Sequence, residues 1–234
     1  MRYRSVHPTR GERWRVLPGD GFIDPPSGIL THAVTIRRPR SEVWPWLVQM
    51  GGGRAGWYSY DRIDNEGRPS AERIIPELQQ IEVGTVYPAK PGVTEGFLLL
   101  AFEPERYLIL GWPSPAGPPV VTWAFILEEP TPGCTRLIVR VQAAEDYRPP
   151  FALPRWTVKT LVPLGHALMQ RKQLLGIARR AETGSRAGPG NVVATGRSSP
   201  SGAAPRRLHD AVSYDGDHGI TGQQVAVRFY MERQ

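Results

Sequence analysis

From Leu30 to Ile36 the chain alternates, with His32, Val34 and Ile36 on one side and Thr31, Ala33 and Thr35 on the other. That period predicts a first strand. Ser41 then reads as an N-cap for a helix over EVWPWLVQM, with Glu42 at the positive end of its dipole and Pro45 tolerable only in the first turn. Gly51 to Gly53 break this helix, and a short second helix is expected over Tyr60 to Asn65. Four further strands are predicted over Thr85–Tyr87, Gly96–Phe102, Tyr107–Trp112 and Val120–Glu128. The last of these pairs with RLIVRVQAA across a Pro-Gly turn, which makes the sheet largely an antiparallel meander.

The period changes between Leu153 and Glu182. Leu161, Leu164, Leu168, Leu175 and Ala178 recur at helical spacing, which predicts one apolar stripe along a long helix, kinked or split at Pro163. Residues 1–28 are polar and punctuated by Pro and Gly, and read as an arm lying over the domain of residues 29–183. Residues 184–234 are poor in bulky apolar side chains and read as a flexible tail, with one terminal strand-like segment at Val225, Val227 and Phe229. The first residues have no apolar stretch of a secretory leader, and no run approaches the ~20 apolar residues of a membrane span, so a cytoplasmic protein is expected.

Composition narrows the chemistry. The 234 residues are 40% hydrophobic and carry a net charge of +7, but of the 29 basic residues only Lys90, Lys159 and Lys172 are lysine. An Arg-rich chain with 25 Gly and 24 Pro has the composition of a GC-rich genome, and its arginines are dispersed. Basicity is therefore weak evidence for a nucleic-acid footprint, and no specific nucleic acid is expected. The tail contributes only modest positive charge, consistent at most with salt-sensitive association. One cysteine, Cys134, excludes an internal disulfide and a cysteine-based zinc site, and the five histidines show no metal-ligand spacing, so no metal is expected. The chain has no GxSxG, P-loop or GxGxxG, so no cofactor is expected either; Gly51 to Gly53 read as a helix C-cap and flexible loop.

The element order and several words in it resemble the SRPBCC superfamily, the START and polyketide cyclase/dehydrase group, in its bacterial branch. The words are Thr31 to Ile36, Arg38 to Gly51, Gly56 to Asp61, Pro76 to Gly84 and Met169 to Glu182. The resemblance covers residues 28–182 and implies an α+β helix-grip fold: a curved antiparallel sheet, two short helices and a long C-terminal helix enclosing a hydrophobic tunnel. It implies fold more specifically than function, because members bind, cyclise or hydrolyse. Tunnel-lining candidates are Trp44, Trp57, Tyr87, Phe97, Trp112, Trp123 and Phe125, with Leu161 and Leu168 from the helix. Trp44 and Trp46 lie two apart, so at most one points inward.

Titratable candidates are fewer. His32 and His166 are the groups expected nearest the tunnel, each fit for acid–base chemistry near neutral pH and each read first as structural, since no carboxylate partner is identifiable. Tyr58, Tyr60 and Arg140 complete a candidate set for steering enol and carbonyl chemistry. Against this, the preferred register of the last strand places Leu137, Val139 and Val141 inward and Arg136, Ile138, Arg140 and Gln142 outward. Asp61 reads as a cap, and Glu77 as a cap or surface pair. The expected function is binding of a hydrophobic small molecule, a lipid, polyketide or other aromatic; the alternatives are a cyclase or dehydratase and weak partner binding through the tail. Whether the protein is an enzyme, and its oligomeric state, stay open at this level.

Overall fold

The computed structural model describes residues 4–114, 117–145, 147 and 155–184, with side chains of the last helix described from residue 163. The tail after residue 184, with its strand-like terminus, lies outside the described residues. In chain order the elements are α1 (Arg10–Trp14), β1 (Gly28–Ile36), α2 (Arg40–Val48), α3 (Asp61–Asp64), β2 (Val86–Pro88), β3 (Gly96–Glu103), β4 (Tyr107–Ser114), β5 (Gly117–Thr131), β6 (Cys134–Ala143) and α4 (Arg155–Gly184). The six strands form one antiparallel sheet in the order β1-β6-β5-β4-β3-β2. β1 and β2 are its two edges, so the sheet is curved but unclosed. Register shifts at Leu99/Ala101, at Trp112/Ser114 and at Glu128/Thr131 interrupt the ladders. Such irregularities bend and twist a strand. The architecture is α+β, with α4 laid across the concave side, and it is the helix-grip fold.

Both faces of the sheet are apolar and both are covered. The concave core takes Val34, Ile36, Leu99, Leu108, Leu110, Phe125, Leu127, Leu137 and Val139 from the strands, Trp46, Leu47 and Met50 from α2 and its end, and Leu174, Ile177, Ala178 and Ala181 from α4. The alternate residues Ala33, Leu98, Leu100, Ile109, Ala124, Ile126 and Ile138 form a second core on the convex side, closed by Leu17 and Phe22 of the N-terminal segment. This segment continues further along the edge, where the Ala33 amide donates to the Val6 carbonyl at 3.1 Å and Arg4 donates to both Glu182 carboxylate oxygens at 2.8 Å.

Several local expectations are corrected. Helix α2 begins one residue before Ser41, with Pro39 at the N-cap and no side-chain cap, because Pro39 sets an extended φ of −65° and ψ of 159°. Pro45 lies in its interior rather than its first turn, in a helix only nine residues long. Tyr60, not Asp61, is the N-cap of α3; Asp61 is its first residue and accepts from Ser70 Oγ at 2.5 Å. The glycine run follows a helix already closed at Gln49, and it is held by neighbours: the Gly52 amide donates to the Pro88 carbonyl at 2.8 Å, and a Cβ on Gly52 would stand 2.6 Å from the Lys90 backbone. Close backbone approach explains that glycine. Helix α4 runs through Pro163 without interruption. Its buried stripe is Leu174, Ile177, Ala178 and Ala181, with Gln170 and Gln173, whereas Leu164 and Leu168 are more than half exposed. Leu161 lies among side chains outside the description.

Arg140 belongs to the convex face, as the preferred register required, yet it is only 3% exposed. Its guanidinium donates to Asp20 Oδ2 at 2.6 Å, to the carbonyls of Glu12, Arg13 and Arg15 at 2.7, 3.0 and 3.0 Å, and to Thr31 Oγ1 at 3.2 Å. Arg136 beside it binds Glu12 through Nε and Nη2 at 2.8 and 2.9 Å and holds the Glu12 carboxyl down to about 2, against the cost of burial. The two arginines therefore bolt residues 12–20 onto the sheet and close the outer core. Truncating one member of a buried ion pair costs about 3–5 kcal/mol, because the partner groups stay buried without it. Arg140→Ala is expected to lose stability of that order in urea melts and to become cleavable by trypsin at Arg13 and Arg15 before the sheet unfolds. Unchanged melting and unchanged cleavage would show that the arginine holds nothing.

Candidate functional site

The concave face carries a wall of aromatic rings at the end away from the C-terminus of α4. Trp57 stacks on Trp123 with centroids 5.3 Å apart and planes 19° from parallel. Phe97 meets Trp57, Trp123 and Trp112 edge-on or nearly so at 6.0, 5.3 and 5.2 Å, and Trp123 meets Phe125 at 5.2 Å. These spacings are those of favourable offset and edge-to-face pairs. Strand alternation accounts for the assembly: Phe97, Trp112 and Trp123 come from β3, β4 and β5, which are neighbours in the sheet, and Trp57 arrives from the loop before α3. Phe125 and Tyr87 are wholly buried and Trp57 nearly so, while Phe97, Trp112 and Trp123 remain partly open to solvent.

Two histidines border this wall. His32 on β1 and His166 on α4 lie with ring centroids 6.1 Å apart, and His166 stands edge-on to Trp123 at 6.3 Å. Burial lowers the pKa of both. For His166 it falls to about 4, with His32 adding repulsion; for His32, burial acts first and the charges of His7 and Arg13 add to it. At neutral pH both rings are uncharged. His166 Nε2 is shielded from water and has no hydrogen-bond partner among the described residues. Three polar ends of the wall are committed elsewhere: Trp57 Nε1 donates to the Ala89 carbonyl at 3.3 Å, Trp123 Nε1 to Gln170 Oε1 at 3.0 Å, and Tyr87 Oη to the Val48 carbonyl at 3.1 Å. Gln170 in turn donates to Gln173 Oε1 at 2.8 Å. This buried amide pair positions Trp123 from α4.

The remaining sequence candidates lie apart from the histidine pair. Tyr58 is 2% exposed, and its hydroxyl accepts from Gln49 Nε2 at 2.9 Å. Its ring is capped by the Arg180 guanidinium at 4.7 Å and meets Trp46 edge-on at 6.0 Å. Burial raises its pKa strongly. It has φ of +58°, a strained setting for a bulky residue, held by its amide bond to Ser70 Oγ at 3.2 Å and by Gly176, where a Cβ would stand 2.3 Å from the Tyr58 carbonyl oxygen. Tyr58 is thus a packing node between α2 and α4. Tyr60 is 42% exposed with Lys172 Nζ 5.9 Å from its ring, and Arg140 lies on the opposite face of the sheet. Neither tyrosine nor the arginine converges on His32, because each sits on a different element or face. Trp44 is half-buried and stacks on Phe102 at 6.4 Å, away from the wall, whereas Trp46 is the inward member of that pair. The sequence offered no spacing that could have singled out Gln170 or Gln173, which acquire their role only through α4 meeting β5.

The neutral histidines imply an acid-sensitive fold. The unfolded His166 takes up its proton near pH 6.5 and the folded one near 4, so its contribution is complete above 6.5, declines as pH falls through that window, and levels off below about 4. The full loss is about 3 kcal/mol. Asp64, whose carboxyl is raised from 3.8 to about 6 by burial and by Asp61, runs the other way: its contribution is lost as pH rises from about 3.8 to about 6. Comparison with His166→Phe removes the Asp64 background: the variant's urea stability is expected to fall less between pH 6.5 and 4 by about 2–3 kcal/mol. Parallel pH profiles would mean that His166 is not held neutral.

No family profile matches this chain, and no curated protein does. It is similar to the solved structure of protein MLL2253 from Mesorhizobium loti at 16% identity and TM-score 0.41, covering 66% of this chain and 97% of that one. It is similar to a Polyketide_cyc-like protein from Corynebacterium glutamicum at 14% identity and TM-score 0.33, covering 66% and 91%. CalU16 from Micromonospora echinospora is similar at 15% identity and TM-score 0.30, covering 79% and 96%. Among the described residues no helix is long and apolar enough to cross a membrane. On its own strand order and helix placement, the described domain has the helix-grip fold that the SRPBCC resemblance implied.

Proposed function

We propose that the protein binds a flat, largely apolar small molecule against Phe97, Trp112 and Trp123, with the buried Trp57 backing this surface. One observation supports the reading above the others: a contiguous set of rings on the concave face stays partly open to solvent, while their immediate neighbours Tyr87 and Phe125 are sealed. Rings already placed by packing and by the Gln170 bond lose little freedom on meeting a ligand, which keeps the cost of binding low. Aromatic ligands gain from offset stacking there as well as from area.

A second reading, acid–base chemistry of the cyclase or dehydratase kind, rests on His32 and His166 alone. Neutral imidazoles beside an apolar wall are suited to moving a proton of an enolisable substrate. Weak association through the basic tail stays a proposal of its own, outside the described residues.

With 2-methylnaphthalene as probe, thermal-shift and equilibrium-dialysis measurements are expected to show saturable binding and concentration-dependent stabilisation. Trp112→Ala and Trp123→Ala should each weaken binding by about tenfold, equivalent to ~1.4 kcal/mol, whereas Trp44→Ala should leave it within about twofold. Far-UV circular dichroism confirms that each variant is folded. Equal weakening by all three substitutions, or no saturable binding to folded wild-type protein, would refute the assignment.

A further inference from the structure

Several hydrogen-bonding groups of the aromatic wall are already used. Its indole N–H groups at Trp57 and Trp123 and its Tyr87 hydroxyl are all donated to protein acceptors. His166 Nε2, by contrast, is removed from water, has no hydrogen-bond partner among the described residues, and belongs to a ring in edge contact with Trp123. A buried polar atom left unpaired costs about 1–3 kcal/mol. Natural proteins carry few of them, and those present call for a functional explanation. His32 stands opposite, with its ring centroid 6.1 Å from that of His166. Among the described residues no hydrogen bond links the two rings, and a centroid separation of 6.1 Å is compatible with one oxygen atom bridging them.

Resting on the reading of the wall as a binding surface, we infer that its ligand carries a hydroxyl, a phenol by class, and that His166 with His32 forms the polar anchor that selects it. A neutral imidazole presents one donor and one acceptor, and a hydroxyl presents the same two functions. A phenol lying on the ring wall can therefore donate to one histidine and accept from the other, and satisfy the orphaned nitrogen. A carboxylate presents acceptors only and would bring a full charge to a site where burial already disfavours charge on both imidazoles. The arginines with the most extensive hydrogen bonding are spent elsewhere: Arg140 and Arg136 on the convex face, and Arg180 on Ala71, Ser70 and Glu72. The residue pair thus favours a neutral hydroxyl over an acid, and a hydroxylated aromatic over a bare one.

Three probes of one shape separate these outcomes: 2-naphthol, 2-methylnaphthalene and 2-naphthoate, measured by equilibrium dialysis against the full chain at pH 7.5. The naphthol is expected to bind roughly five- to tenfold tighter than the methyl compound, the range that one to two neutral hydrogen bonds supply. The naphthoate should bind weakest. In His166→Phe the naphthol preference should vanish while methylnaphthalene affinity is kept, and His166→Gln, which retains a donor and an acceptor, should recover part of it. Equal binding of naphthol and methylnaphthalene to wild-type protein, or a preference for the naphthoate, overturns the phenol inference and leaves the aromatic site standing. Failure of all three to bind folded protein overturns both. Should His166→Phe not fold, the wild-type ratio decides by itself.

Discussion

An antiparallel sheet with apolar residues at successive positions must be covered on both sides, and this requirement organises the molecule. In β4, Leu108, Ile109 and Leu110 are all fully buried, although strand geometry sends Ile109 to the face opposite the other two. α2 and α4 cover the concave side. The convex side is closed by the segment from Glu12 to Phe22, which carries too few apolar residues to stay there by burial alone. Arg140 and Arg136 supply the difference with directed, charge-assisted bonds to Asp20, Glu12 and three backbone carbonyls. A polar arm thereby becomes a structural layer.

Covering the concave side with a single long helix produces the second feature. Among the described residues of α4, Leu174, Ile177, Ala178 and Ala181 are the buried apolar positions, with Leu175 packed beside them. There Gly176 lets it meet Tyr58, and Arg180 ties it to Ser70, Ala71 and Glu72. Nearer the start of the described side chains, His166, Gln170 and Gln173 face the sheet. Gln170 and Gln173, bonded to each other and, through Gln170, to Trp123, hold the helix in register against the sheet. The rings of Phe97, Trp112 and Trp123 beside them are partly open to solvent.

The same arrangement sets the electrostatics. Positive charge is plentiful, yet among the described residues the most heavily bonded arginines lie on the convex face or against the loop before residue 73. The histidines beside the rings sit in a low-dielectric setting, and for His32 the charges of His7 and Arg13 act in the same direction as burial on its titration. A net charge of +7 on the chain therefore says little about the chemistry at the wall.

Local pattern alone carried the strands, since residues such as Val34, Ile36, Leu137 and Val139 alternate, and period two needs no knowledge of partners. It also carried the outward register of Arg140, the long final helix, and the approach of His32 and His166 to one face. What it missed has a common physical cause. The stripe of α4 reads equally well through Leu164 and Leu168, because several leucines share helical spacing and only the position of the sheet selects Leu174 and Ile177. Tyr58, Tyr60, Trp44 and Trp46 are chemically alike in sequence, and a positive φ at Tyr58 or an interior Pro45 in α2 is tolerated only because neighbouring elements hold it. The burial of Arg140 beneath a distant arm, the seating of Trp123 by Gln170 and the unpaired Nε2 of His166 arise between residues tens of positions apart or more. Composition and periodicity determined which residue types this protein has to spend and on which side of each element; tertiary packing decided which of them meet, because contact and desolvation are properties of the assembled layers and not of any one segment.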